Sequence, residues 1–301
     1  MAGGDRSMSG TSRFLLIVFL LHPALAIAQA PTWRSVNIRS AGSKTLFTWN
    51  GQQAVDEGPD DPRLVTDRPH FSEASSLVGL GVVQLETGYS IFSDRENGTR
   101  TTTHSFSEPL LRMGVFAEWF EFRLASNYLV ERTSANTGSR TDSGTDDMYL
   151  GAKVALTEQA GLLPELAVFP QMRLPTGNSA FSSTQVLPGV NIAYSWKLND
   201  LLEVECNTQF NNRRDDLAHI YLEAIQTLNL EYDLSDRVGA FTELIGFFPC
   251  GALIAKPEYY FHSGFVFFLS ENVQLDIHAG IGLNKAATDL AFTGAGLSWR
   301  Y

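Results

Sequence analysis

The chain has 301 residues, 44% of them hydrophobic, and a formal net charge of −11. That negative balance, with no basic cluster to hold phosphates, argues against a nucleic-acid partner. Two cysteines, Cys206 and Cys250, exclude a disulfide framework or a zinc-finger spacing and are read as unpaired thiols.

In chain order, residues 1–28 read as a signal peptide. Arg13 precedes "FLLIVFLL", and "ALAIAQA" offers small-x-small cleavage sites, with cleavage expected after Ala28. The apolar run of roughly ten residues falls short of the ~20 needed by a spanning helix, and no later run reaches that length. Residues 29–78 are polar and turn-rich and form an irregular leader, either periplasmic or folded into a barrel mouth as a plug. Its "TDRPHF" stretch (66–71) carries Asp67, Arg68 and His70, groups able to pair with charges in a lumen.

From residue 79 to 301 the pattern changes to period 2. Val83, Leu85, Thr87, Tyr89 and Ile91 alternate with Gln84, Glu86, Gly88 and Ser90. Phe120–Val130, Pro188–Trp196, Leu202–Phe210 and Val273–Ile281 alternate in the same way. Strands of 9–11 residues suit a tilted crossing of a bilayer, whereas sandwich strands average about 5–6. The turns "FAEW", "LTEQ", "LNDL", "LSDR" and "LSEN" recur about 35–42 residues apart, alternating with longer polar connections such as "RTSANTGSRTDSGTDD" (132–146 and flanks). One-sided loop length predicts an all-β antiparallel transmembrane barrel of twelve strands with its short turns in the periplasm. The terminal "GAGLSWRY" is its closing strand, ending on the aromatic Tyr301. Trp119, Trp196, Tyr232, Tyr259, Trp299 and Tyr301 fit interfacial girdles.

With apolar positions facing lipid, their alternates face the lumen. The inward candidates for a polar solute track are Glu86, Glu108, Arg112, Glu121, Arg123, Lys153, Arg173, Glu203, Glu205, Glu223, Glu243, Asp276 and His278. The competing reading is that these groups pair across strands and fill a narrow interior. His104, His262 and His278 fall on the inward parity, with His219 inward near a loop, and no G-x-S-x-G elbow accompanies them. Catalysis is therefore not expected, nor a cofactor. Asp276 and His278 share one strand face but lack the further ligands a metal needs.

From about Leu64 to Tyr301 the chain resembles the outer-membrane transporters of the "MetA-pathway of phenol degradation" family. The resemblance rests on "TDRPHF" (66–71), "VQLETGYS" (83–90), "LLRMGVFAEWFEFRL" (110–124), "RLPTG" (173–177), "LDIHAGIGL" (275–283) and the closing "GAGLSWRY". It implies a barrel in the outer membrane of a Gram-negative-type envelope that passes a small hydrophobic or aromatic solute. The Tyr301 end resembles the C-terminal signal read by the outer-membrane assembly machinery, where Phe is commoner. The alternatives are a structural barrel with a filled lumen and an outer-membrane lipid hydrolase with a Ser–His pair at the lipid-facing rim.

Overall fold

Period-2 alternation from Val83 onward folds as a run of antiparallel strands in one sheet. The computed structural model describes residues 43–49, 63–96, 98–215 and 217–301. The signal segment (1–28) and leader residues 29–42 and 50–62 lie outside them.

The first hairpin is β1 (Val83–Glu96) and β2 (Thr99–Gly114). β3 (Phe120–Ala125) and β4 (Tyr128–Ala135) follow, then β5 (Gly138–Thr145) and β6 (Met148–Thr157). The series continues with β7 (Glu165–Leu174), β8 (Leu187–Asn199), β9 (Leu202–Arg214) and β10 (Ile220–Ser235). It ends with β11 (Val238–Cys250), β12 (Glu258–Ser270), β13 (Val273–Gly282) and β14 (Ala291–Arg300). β3 and β4 both pair with β2, and β6 and β5 pair with them in turn, so each couple is one interrupted stave. Counting staves, the barrel is twelve-stranded and antiparallel.

Closure is made by the last strand. β14 pairs with β1 from Gln84↔Arg300 to Ser93↔Ala291, and the Tyr301 N–H donates to the Val83 carbonyl at 2.8 Å. No backbone edge is then left facing lipid, where nothing would satisfy it. Outward positions carry exposed apolar side chains, among them Leu244, Phe265, Ile277 and Ile281. Trp119, Trp196, Tyr232, Trp299 and Tyr301 all stand at the short-turn end, and Tyr259 at the other. Both cysteines are free, Cys206 buried and Cys250 exposed.

Two sequence expectations are corrected here. The stretch 132–146 is not an irregular loop but the β4–β5 hairpin, running from Tyr128↔Thr145 to Ala135↔Gly138. Water on both faces removes the hydrophobic alternation that would have revealed it. His104 does not face inward: its ring stacks on Phe106, and Nδ1 lies 2.7 Å from the Tyr89 hydroxyl on the lipid-facing side. The cause is a β-bulge at Ser107 and Glu108, both at positive φ, where the β1–β2 register shifts. One extra residue reverses the facing of everything on its far side. His219 lies exposed in the connection after β9, 4.0 Å from Asp215.

Candidate functional site

Residues 63–78 pass through the lumen, and their polar groups meet inward side chains on both sides. The densest contacts are against β1, β2, β3 and β6. Asp67 lies 2.7 Å from Arg123, 3.4 Å from Arg112 and 3.4 Å from Lys153. Arg112 donates to Glu121 at 2.8 Å and pairs with Glu86 at 3.1 Å. Glu86 accepts the N–H groups of Asp67 and Arg68, and Glu121 accepts that of Val78. Lys153 donates to the carbonyls of Ala74 and Ser76 at 2.9 and 3.0 Å.

All five of these wall charges are fully buried, which is tolerable only with pairing and hydrogen bonds. The wall is not balanced by itself. Arg112, Arg123 and Lys153 face Glu86 and Glu121, and the leader adds Asp67 and Glu73, the latter 3.0 Å from Arg123. Burial alone would push the Asp67 carboxyl up; the Arg112, Arg123 and Lys153 charges instead hold it far below the usual carboxylate range.

Arg68 reverses the sign. It pairs with Glu108 at 2.7 Å and Asp276 at 3.3 Å. A Cβ at Gly88 or Gly296 would overlap its guanidinium, so these two inward glycines make the notch in which it sits. His70 follows, with Nδ1 bonded to the Ser72 carbonyl and Nε2 2.6 Å from Glu231 and 3.7 Å from Glu205. Burial works against a charge on His70, but Glu231 and then Glu205 and Glu243 keep its pKa well above the ordinary histidine value. His70, Glu205 and Glu231 also hold ligand atoms within 4.8 Å of one another, a set a metal ion could use. The 2.6 Å contact is that of a direct charged hydrogen bond.

On the β10–β12 side the leader is held through Glu243. It accepts the N–H groups of Phe71 and Ser72 at 2.8 and 2.6 Å and the Ser72 hydroxyl at 2.6 Å. His262 Nδ1 lies 3.0 Å from the same carboxylate, and His262 Nε2 lies 2.9 Å from His278 Nδ1. Around this chain the lumen wall is apolar: Ile225, Ile245 and Tyr260 are buried, with Phe247 and Phe292 packed on them.

Three cavities meet at the leader. One of about 260 Å³, towards the short turns, is lined by Arg63, Glu203, Glu205 and Glu231. A second of about 530 Å³, towards the longer connections, is lined by Phe71, Phe92, Phe247, Tyr260, His262, His278 and Phe292. A third of about 320 Å³ is lined by Glu73, Glu108, Tyr149, Gln171 and Arg173. His70 borders all three.

Of the residues singled out by sequence, Glu86, Glu108, Arg112, Glu121, Arg123, Lys153, Glu205, Glu243 and Asp276 touch the leader. Arg173, half-exposed and 3.4 Å from Asp146, lines the third cavity. Glu203 lines the first, while Glu223, paired with Arg213 at 2.9 Å, lines the second. Asp276 and His278 do not meet; the first bonds Arg68 and the second His262. Sequence reasoning passed over Glu231, the inward amides Asn191 and Asn207, which hold Glu73, and the whole aromatic wall. Parity would have found them had it been applied to every inward position, Glu231 and the uncharged ones included.

Solved barrels with similar folds include an outer membrane channel of Pseudomonas putida F1, at 14% identity and TM-score 0.57, covering 81% of this chain and 99% of that one. The NanC porin follows at 10% identity and TM-score 0.44, with 72% and 98% covered. The translocator domain of the autotransporter NalP from Neisseria meningitidis gives 13% and 0.45, with 74% and 89% covered. No curated protein matches the chain. The family model for the MetA-pathway of phenol degradation matches residues 66–301, and the chain belongs to that family. Its fold is the closed antiparallel β-barrel of the P. putida channel.

Proposed function

We propose that this family member is an outer-membrane channel for small aromatic or hydrophobic solutes, closed at rest by residues 63–78 of its own leader. One observation carries the reading: a charge-matched segment crosses the lumen beside an aromatic-walled cavity of about 530 Å³, a volume suited to a small molecule. The family description, which names phenol degradation, supports the solute class, and the channel from P. putida supports the barrel as a conduit of this size. Passage is passive and uses no cofactor. The short turns face the periplasm, and the Tyr301 end serves assembly.

The test compares the full-length chain with one lacking residues 31–75 but keeping its signal segment, in planar bilayers and in liposome uptake of aromatic solutes. The deletion is expected to raise both conductance and uptake. If neither form passes anything, the barrel is a filled structural element instead. Phospholipid reporters in the same liposomes are expected to show no turnover; hydrolysis would favour an enzyme.

A further inference from the structure

The aromatic cavity ends on a histidine whose outer nitrogen is unclaimed. Glu243 accepts two backbone N–H groups and the Ser72 hydroxyl, so it is an acceptor and His262 Nδ1 must carry the proton between them. Three neutral donors already satisfy that carboxylate, so a neutral imidazole suffices as the fourth. His262 is also enclosed by rings, with Phe241 at 4.9 Å and Phe292 at 5.0 Å.

A neutral His262 leaves Nε2 as a lone pair, which His278 Nδ1–H fills at 2.9 Å. The same rule then applies once more: His278 Nε2 is left as a lone pair. It has no partner among the described residues. The neighbouring Ser90 hydroxyl donates to Glu108 instead, and position 294 is a glycine because any Cβ there would overlap Nε2. His278 lines the aromatic cavity together with Phe92 and Phe292.

We propose, on the channel reading above, that this relay is a hydroxyl-recognition site. Glu243 and His262 fix the tautomer of His278 so that its Nε2 accepts a hydrogen bond from a neutral hydroxyl on an aromatic ring seated among Phe92, Phe247 and Phe292. Glu243 and His262 act as positioning residues, and His278 alone touches the guest. A ring without a hydroxyl lacks the donor. The site therefore prefers 4-methylphenol to toluene.

Binding of 4-methylphenol and toluene to the full-length protein in detergent tests the preference. One neutral hydrogen bond predicts 4-methylphenol binding about three- to tenfold tighter than toluene. His278→Phe keeps the ring and removes the acceptor, and is expected to abolish that ratio while toluene binding stays. Should the variant fail to fold, ¹⁵N-labelled histidine in the unmodified chain gives an independent readout. One imidazole Nε2 resonance should move on adding 4-methylphenol and stay still with toluene. Equal binding of phenol and hydrocarbon, or an unmoved histidine spectrum, would each overturn the assignment. None of these results touches the channel reading, which fails only if neither the full-length nor the leader-deleted barrel passes any solute.

Discussion

Two sectors of the lumen are built from the same alternate positions of the same kind of strand, yet they do opposite things. Against β1, β2, β3 and β6, Glu86, Arg112, Glu121, Arg123 and Lys153 close around Asp67 with no solvent exposure to speak of. Against β10, β11, β12 and β14, the inward residues include Ile225, Ile245, Phe247, Tyr260, His262 and Phe292, beside a cavity of about 530 Å³. The difference follows from what each group needs. A buried charge must be met by an opposite charge or a dipole, so a charged sector draws the leader in until it is full. Rings need no such partners and leave open whatever their shapes do not fill. The leader is thus clamped on one side and lightly held on the other, through Glu243 and the Phe71–Phe247 ring contact at 5.4 Å.

Substitutions in the two sectors should separate clamp from opening. Asp67→Ala leaves Arg112, Arg123 and Lys153 without their shared carboxylate, facing only Glu86, Glu121 and the partly exposed Glu73. Breaking a buried network from one side costs about 3–5 kcal/mol, read as a lower unfolding temperature on heat-shift gels together with higher conductance. An unchanged barrel would show that the charged sector does not hold the leader.

The two sectors should also respond to opposite pH limits. His70 has a raised folded pKa, so its contribution is complete below 6.5 and is lost as pH rises through the raised value. Asp67 has a depressed one, so its contribution is present above 3.8 and persists in acid well below that. Conductance should therefore rise on the alkaline side and stay flat down to about pH 4. The His70–Glu231 bond contributes about 1.5 kcal/mol, the low end for a charged hydrogen bond because Glu231 stands partly in solvent. His70→Gln should remove the alkaline rise; an alkaline rise that survives it would assign the response elsewhere.

Phe71→Ala tests the lightly held side. Losing the ring contact with Phe247 costs about 0.5–1.5 kcal/mol, so stability should scarcely change while aromatic uptake quickens. Slower uptake would mean that Phe71 forms part of the solute path rather than its stopper. Outside both sectors, Tyr301→Asp puts a charge at the membrane edge at a cost of roughly 0–1 kcal/mol. A large loss of insertion from that change would reflect recognition by the assembly machinery, and normal insertion would remove that role.

How far the sequence could be read depended on the range of the signal. Alternation is local, so the staves, their outward apolar faces and the short turns at "LNDL", "LSDR" and "LSEN" were legible residue by residue. It failed at two local irregularities. The bulge at Ser107–Glu108 turned His104 outward, and the β4–β5 hairpin is polar on both faces.

The sequence by itself determined a closed twelve-stave barrel ending on its own first strand, because period-2 alternation and turn spacing are properties of neighbouring residues. Tertiary structure decided the lumen. Arg68 meets Asp276 across 208 positions, Ser72 meets Glu243 across 171, and His262 meets His278 only because β12 and β13 pair with Gly264 opposite it. Parity states which way each of these side chains points, but it contains nothing about which one waits on the other side. Closing the barrel brings them within hydrogen-bonding reach, and burial then makes every unmatched charge costly enough to choose its partner.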